Sequence, residues 1–417
     1  MTADHPVDVL VIGAGIVGIA CASALQDEGR QVVLLERDGV AMGASYGNAG
    51  AFAFSEILPL ASPGIIAKAP KWLADPLGPL SVPPRYLPHI APWLWRFFRA
   101  SRPARFEAGT RALLALNALA RTEAHRLVDA AGLSHMVRSA GTLDLYEGEA
   151  MLEAAAPEWE AKRRAGLQFE RLETRDAIAA IQPGLSPSLT HAVFTPLGET
   201  VSDPYDYAVA LFARVENRGG QLRRGAAEWI SATADGARVG LVDGSVISAR
   251  TVVLAAGAWS KPLAATLGDK VPLETERGYN TTLPPGAFDL RLQLYFGGHG
   301  FVVTPLSSGI RVGGAVELGG LAAAPDFRRS KAMLDKARAF MPGLNVEGGR
   351  QWMGFRPSMP DSLPVIGTSR ASRNVLYAFG HGHLGLTQSA ATGRLVADLA
   401  VGRAPAIDLA PFRPDRF

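Results

Sequence analysis

The residues of this chain best suited to chemistry gather near its two ends. The apolar run Val7–Ile12 leads into Gly13-Ala14-Gly15-Ile16-Val17-Gly18, and a second apolar run, residues 32–35, ends on Glu36 and Arg37. In such a turn the first glycine lets the chain leave a strand sharply, the second lets backbone approach a pyrophosphate, and the third lets a helix pack closely on the sheet. An acid about twenty residues on suits a ribose hydroxyl, and the intervening helix N-terminus offers free N–H groups and partial positive charge to phosphates. Toward the other end stand Arg356, within Gly354-Phe355-Arg356-Pro357, and the run Gly380-His381-Gly382-His383-Leu384-Gly385-Leu386-Thr387. A guanidinium presents two parallel donors that match the two oxygens of a carboxylate.

Positioning the first group requires strand, turn, helix and strand, and the hydrophobic pattern supplies them in that order. A loop of small residues follows, with Ser45, Asn48, Ala49 and Gly50, whose backbone N–H groups can approach a ring or phosphate. Prolines crowd residues 59–92 and rule out a long regular helix across them. Leucines at helical spacing predict a helix over 107–131 ending at Gly132, and a second helix is expected over 150–166. Strands are expected at Thr142–Tyr146 and His191–Thr195.

A different rhythm begins at Tyr205. A helix over 205–217 closes at Gly219-Gly220, and Asp235-Gly236 and Asp243-Gly244 read as hairpin turns. The strand 251–254 then enters Ala255-Ala256-Gly257-Ala258-Trp259-Ser260, as if the nucleotide-binding sheet resumed after an insertion. Strands at 292–296, 300–304 and 310–313 predict an antiparallel sheet. The last section reads as a loop around Arg356, a strand at Val375–Phe379, the glycine-histidine turn, and a closing helix from Thr387.

Composition narrows the function. The 417 residues, 48% hydrophobic and 19% charged, make a globular chain of more than one domain, and a net charge of +3 implies no nucleic-acid partner. Eight scattered histidines and a single cysteine, Cys21, give no disulfide framework and no cysteine-based metal site; no metal is expected. Residues 7–25 are apolar, yet Asp8, the absence of a basic leader and three spaced glycines argue against a signal peptide or membrane span. A cytoplasmic protein is expected.

Four motifs in register, the opening glycines with Glu36-Arg37, the Ala255–Ser260 turn, the Arg356 loop and the glycine-histidine ending, resemble the FAD-dependent D-amino-acid oxidase superfamily. Within it the likeness is to bacterial D-amino-acid dehydrogenases, particularly the branch that oxidises hydroxy-D-proline. The resemblance implies an α/β chain in which a Rossmann-like FAD-binding domain (1–60, 190–270 and 349–417) interleaves with an α+β substrate domain (61–189 and 271–348) containing an antiparallel sheet. It implies FAD held by Gly13, Gly15, Ile16, Val17, Gly18, Glu36 and Arg37, by Ser45, Asn48, Ala49 and Gly50, by Ala256 and Gly257, and by residues Gly380, His381, Gly382, His383, Leu384, Gly385, Leu386 and Thr387. With only Cys21 available, on the first helix, the flavin is expected to be non-covalent.

In the same family Arg356 matches the residue that binds the substrate carboxylate, the alternative here being a structural arginine paired with an acid such as Asp361. Tyr279 matches a position near the substrate, where it bonds the carboxylate or simply packs. His381 and His383 are either site residues or turn residues, and water or one of them is the available base. The implied reaction is hydride transfer from Cα of a D-amino or cyclic imino acid, with electrons passing to a quinone or another carrier. Lysines are scarce in the motifs, Lys261 aside, which leans toward a dehydrogenase. Competing readings are a glycine- or sarcosine-type amine oxidase using oxygen, and a flavin-binding subunit without activity of its own. The aromatic and basic stretch from Pro92 to Arg99 either contacts a membrane surface peripherally or is buried against the substrate domain.

Overall fold

A computed structural model of the chain describes residues 6–65 and 80–417. Part of the proline-rich stretch lies outside the described residues. Apolar strands that read as continuous runs pair in parallel because both faces are covered. Gln221–Arg224, Val32–Glu36, Val7–Ile12 and Val246–Leu254 lie side by side, and Val375–Phe379 joins the far edge of Val246–Leu254. The hairpins expected at Asp235 and Asp243 add Gly236–Leu241 and Ala227–Thr233 antiparallel to the same sheet. Helices Ile16–Asp27, Pro204–Asn217 and Gly385–Ala400 contribute to one apolar core against the sheet, where Cys21 is fully buried. Burial pushes the Cys21 thiol up, so it stays protonated and inert.

The second sheet runs Arg350–Ser358, Glu274–Leu283, Gly309–Glu317, Phe301–Leu306, Gln293–Phe296, Thr142–Tyr146, His191–Thr195 and Glu170–Leu172. It is antiparallel except where Gln293–Phe296 lies parallel to Thr142–Tyr146 and where Leu80–Ser81 lies parallel to Gly309–Glu317. Its core packs against helix Arg328–Phe340, which the sequence pattern does not announce. Helices Pro103–Ala131 and Glu149–Arg164 match their expected positions to within a few residues.

Three expectations are corrected here. The segment around Arg356 is not a loop but the strand Arg350–Ser358, and the closing helix begins at Gly385 rather than Thr387. The expected domain boundaries put His191–Thr195 and Arg350–Ser358 on the dinucleotide side. Both are hydrogen-bonded into the second sheet instead. In both cases the preceding strand already belongs to the second sheet, and the chain returns to the first sheet only afterwards, at Gln221–Arg224 and Val365–Thr368, so each expected boundary falls one strand too early.

Candidate active site

At Gly13 three strand ends meet. Its N–H donates to the Leu35 carbonyl at 2.8 Å, and the neighbouring Ala255 N–H donates to the Ile12 carbonyl at 2.9 Å. The turn needs φ +106° at Gly13, and a Cβ there would lie 2.5 Å from the Ala255 carbonyl oxygen. The helix starting at Ile16 has no side-chain cap from Gly15; its first N–H donates to Ser45 Oγ at 2.9 Å. The remaining N–H groups of its first turn have no partner within the helix. Glu36 is oriented by two backbone donors, Ala14 N–H at 2.7 Å and Asp38 N–H at 2.8 Å. Arg37 lies over the Trp259 ring at 4.4 Å.

These groups open onto a cavity of about 940 Å³ that runs from the dinucleotide turn to the second sheet. The backbone cradle, the free helix N-terminus and the acid at the strand end fit an FAD, and the lining continues past them to Arg356 and Tyr295 on the second sheet.

Most of the expected residues line it: Gly13, Gly15, Ile16, Val17, Glu36, Arg37, Ser45, Asn48, Ala49, Ala256, Gly257, Tyr279, Arg356, His381, Gly382, His383, Gly385 and Leu386. Gly18, Gly50, Gly380, Leu384 and Thr387 do not. Gly18 lies under the Gly13 carbonyl, and Gly380 is pressed against Met359. Gly50 donates to Asn48 Oδ1 and accepts from Val201 N–H. Leu384 is buried in the turn, and Thr387 Oγ1 accepts the Ala53 N–H at 2.9 Å. These five hold the wall in place rather than forming its surface.

His381 and His383 part company. His381 is buried with Nε2 against Thr392 Oγ1 at 2.9 Å, and burial pulls its pKa down to about 3. It is therefore a neutral structural imidazole near pH 7. His383 faces the cavity; the surrounding protein lowers its pKa, Arg356 adds to that, and Glu276 and Glu56 oppose it.

Arg356 stands opposite Glu276 on the neighbouring strand, two residues along from the facing pair Gly278 and Gly354. Its guanidinium passes over Gly278, where a Cβ would come within 2.5 Å of Cζ. Between Arg277 and Tyr279 the pairing with Gly309–Glu317 shifts by a bulge, which leaves Ala315 at φ +55°. The Ala315 carbonyl accepts from Arg356 Nη1 at 3.0 Å. No carboxylate lies within ion-pair distance of Arg356 among the described residues. Asp361, the alternative partner, is taken by Arg416 at 2.7 Å, and Glu276 is bonded to Ser358 Oγ. The Tyr279 hydroxyl is turned from the carboxylate role as well, donating to Glu317 at 2.5 Å and accepting from Asp326 N–H. It belongs to a buried network with Arg277, which pairs with Glu317 at 2.9 Å.

The cavity lining also includes residues absent from the sequence-based expectations: Glu56, Asp144, Glu158 and Trp352. Lys162, almost fully buried, bridges Glu158 at 2.9 Å and Glu56 at 3.2 Å. The Asp144 carboxyl has no hydrogen bond among the described residues, and burial pushes its pKa up to about 8 despite the nearby Lys162. The available signal was Asp144 itself, a single acid between Leu143 and Leu145 in an otherwise apolar strand.

Comparison with known proteins agrees with this geometry. Residues 8–399 match the family described as DAO, FAD dependent oxidoreductase. The chain is similar to a protein named D-amino-acid oxidase from Bradyrhizobium diazoefficiens, 36% identical over 98% of both chains. It is also similar to a D-amino acid dehydrogenase from Sinorhizobium medicae, 32% identical over 96% of this chain and 97% of the other. Among solved structures, glycine oxidase from Geobacillus kaustophilus superposes with a TM-score of 0.77 at 23% identity, covering 99% of each chain. L-proline dehydrogenase from P. horikoshii gives 0.75 at 18% identity, covering 99% of this chain and 98% of the other, so both share the fold. With a dinucleotide cradle, a cavity reaching the second sheet and a match along nearly its whole length, the chain belongs to the DAO family of FAD-dependent oxidoreductases.

Proposed function

We propose that this chain oxidises the Cα–N bond of D-amino acids, preferring a cyclic imino acid such as hydroxy-D-proline, and passes the electrons to a quinone or another carrier. The observation that carries the reading is Arg356: a guanidinium on the cavity wall, bonded to one carbonyl, with no carboxylate of the described residues to pair it. A substrate carboxylate completes it. Bound non-covalently, FAD supplies the two-electron sink that accepts hydride from Cα, after which water hydrolyses the imine product. Arg356 fixes the acid end, while the bulge at Ala315 and the contact over Gly278 fix Arg356. His383, exposed on the cavity where His381 is buried, is available to exchange protons with the substrate. The D-amino-acid assignment is supported by the names of both relatives, the hydroxyproline preference by sequence likeness. The carrier is supported by Lys261, which is exposed on the outside of its helix.

The test is anaerobic. D-amino acids, with hydroxy-D-proline among the fastest, are expected to bleach the flavin band of the purified holoenzyme, with little peroxide on aerobic turnover. Bleaching by L-isomers alone would overturn the handedness, stoichiometric peroxide would favour the amine-oxidase reading, and no bleaching by any amine would leave a flavin-binding subunit.

Helix Leu87–Ala100 splits the two expectations for the aromatic stretch. Ile90 and Trp93 pack inward, while Trp95 and Phe98 are exposed beside Arg96 and Arg99. Among the described residues no helix is long and apolar enough to cross a membrane. We propose that this outer face rests on an anionic lipid surface, where a quinone would be at hand. Co-sedimentation with anionic vesicles that weakens in high salt is expected; protein left wholly in the supernatant would refute it.

A further inference from the structure

Strands Thr142–Tyr146 and Gln293–Phe296 run side by side, with Asp144 opposite Tyr295. Alternation sends Leu143, Leu145, Leu294 and Phe296 into the core and leaves Asp144, Gln293 and Tyr295 on the other face. That face forms a wall between the main cavity and a smaller one of about 210 Å³. Two independent features of the wall call for a donor. Glu56 and Glu158 already share Lys162, which leaves Asp144 with no side-chain partner of its own. Gln293 is 1% exposed; its Nε2 donates to Thr304 Oγ1 at 2.8 Å, but its Oε1 has no partner. Gln293 Oε1 is a buried acceptor left unmade, and the half-buried Asp144 opens onto the main cavity, so a ligand's donor on this wall would meet an acceptor at either. Glu56, Asp144 and Gln293 line the same cavity as Arg356 and His383, so the acidic wall and the carboxylate clamp face one ligand space.

We infer that Asp144 and Gln293, backed by Glu56, form a side-chain subsite that accepts hydrogen bonds from a donor on the substrate, so that the enzyme selects D-amino acids bearing one. This rests on the reading of Arg356 as the clamp. The donor has two possible sources, a ring hydroxyl or a terminal ammonium.

Matched substrate pairs separate them: 4-hydroxy-D-proline against D-proline, and D-lysine against D-norleucine. The kcat/KM ratio within each pair is measured for the wild-type holoenzyme, Asp144→Asn and Gln293→Leu, each checked for flavin content. The wild type is expected to favour the donor-bearing member of at least one pair by about tenfold or more, and the ratio to fall about tenfold in the variants. A change confined to the proline pair identifies the hydroxyl; one confined to the lysine pair identifies the cation. Wild-type ratios near one in both pairs would overturn the subsite, whether or not the variants retain flavin. So would equal losses on both members of each pair, which would place the acids at the α-amine or in the fold. Absence of turnover with every D-amino acid would instead sink the underlying functional reading.

Discussion

Arg356→Ala is expected to lower kcat/KM for D-amino acids by about 2–5 kcal/mol of transition-state stabilisation, roughly 30- to 5,000-fold, without loss of flavin. The guanidinium has five N–H donors and the structure shows one engaged, by Ala315. A substrate carboxylate would take two more in parallel, and truncation removes that fork while leaving the carboxylate in a cavity without its counter-charge. Arg356→Lys keeps the charge but not the planar fork, so an intermediate loss is expected. The signature that separates binding from general damage is selectivity: the wild type should prefer a D-amino acid to its amide, and Arg356→Ala should lose that preference. Gly278→Ala should shift activity the same way, since its Cβ would displace the guanidinium from 2.5 Å. A flavin-loaded Arg356→Ala with wild-type kcat/KM, or one that still distinguishes acid from amide, would remove the clamp from the mechanism.

How much of this was legible beforehand depends on how local each feature is. The glycine turn, Glu36 and the first helix lie within some thirty residues, and their spacing states the geometry outright. Arg356 was recognisable as a residue type, but its strand was hidden by Gly354 and Pro357, which read as loop punctuation. Gly354 is there because the Trp352 ring lies across it, and Pro357 is tolerated because Arg350–Ser358 is an edge strand. The strand Glu274–Leu283 was hidden by its charges. Glu276 and Arg277 look like surface residues until Ser358 and Glu317, 82 and 40 positions away, are brought against them. Asp144 shows the same limit at the site. Alternation gives its strand, but whether the acid meets solvent, a counter-ion or a cavity is decided by Lys162 and by the register with Gln293–Phe296.

Gly13→Ala and Gly15→Ala should part along the line between fold and ligand. At Gly13 an L-residue is strained by φ +106°, and its Cβ meets the Ala255 backbone, which cannot retreat because it is hydrogen-bonded to the Ile12 carbonyl. Left-handed strain of about 1–2 kcal/mol and overpacking of about 1–3 kcal/mol together make a loss of roughly 2–5 kcal/mol, felt by the apoprotein as well as by the cofactor. The expected result is a lowered Tm and protein that elutes from gel filtration without FAD. Gly15 differs in both respects: its φ is −75°, and a Cβ would face only Ser45 Oγ, at 3.3 Å. Gly15→Ala should therefore keep the apoprotein's Tm, while the added methyl, on the cavity surface where backbone must approach a pyrophosphate, raises the Kd for FAD. Flavin titration against Tm for the two variants checks this. Full flavin occupancy in Gly13→Ala, or equal losses of Tm in both, would mean that the turn does not divide the work in this way.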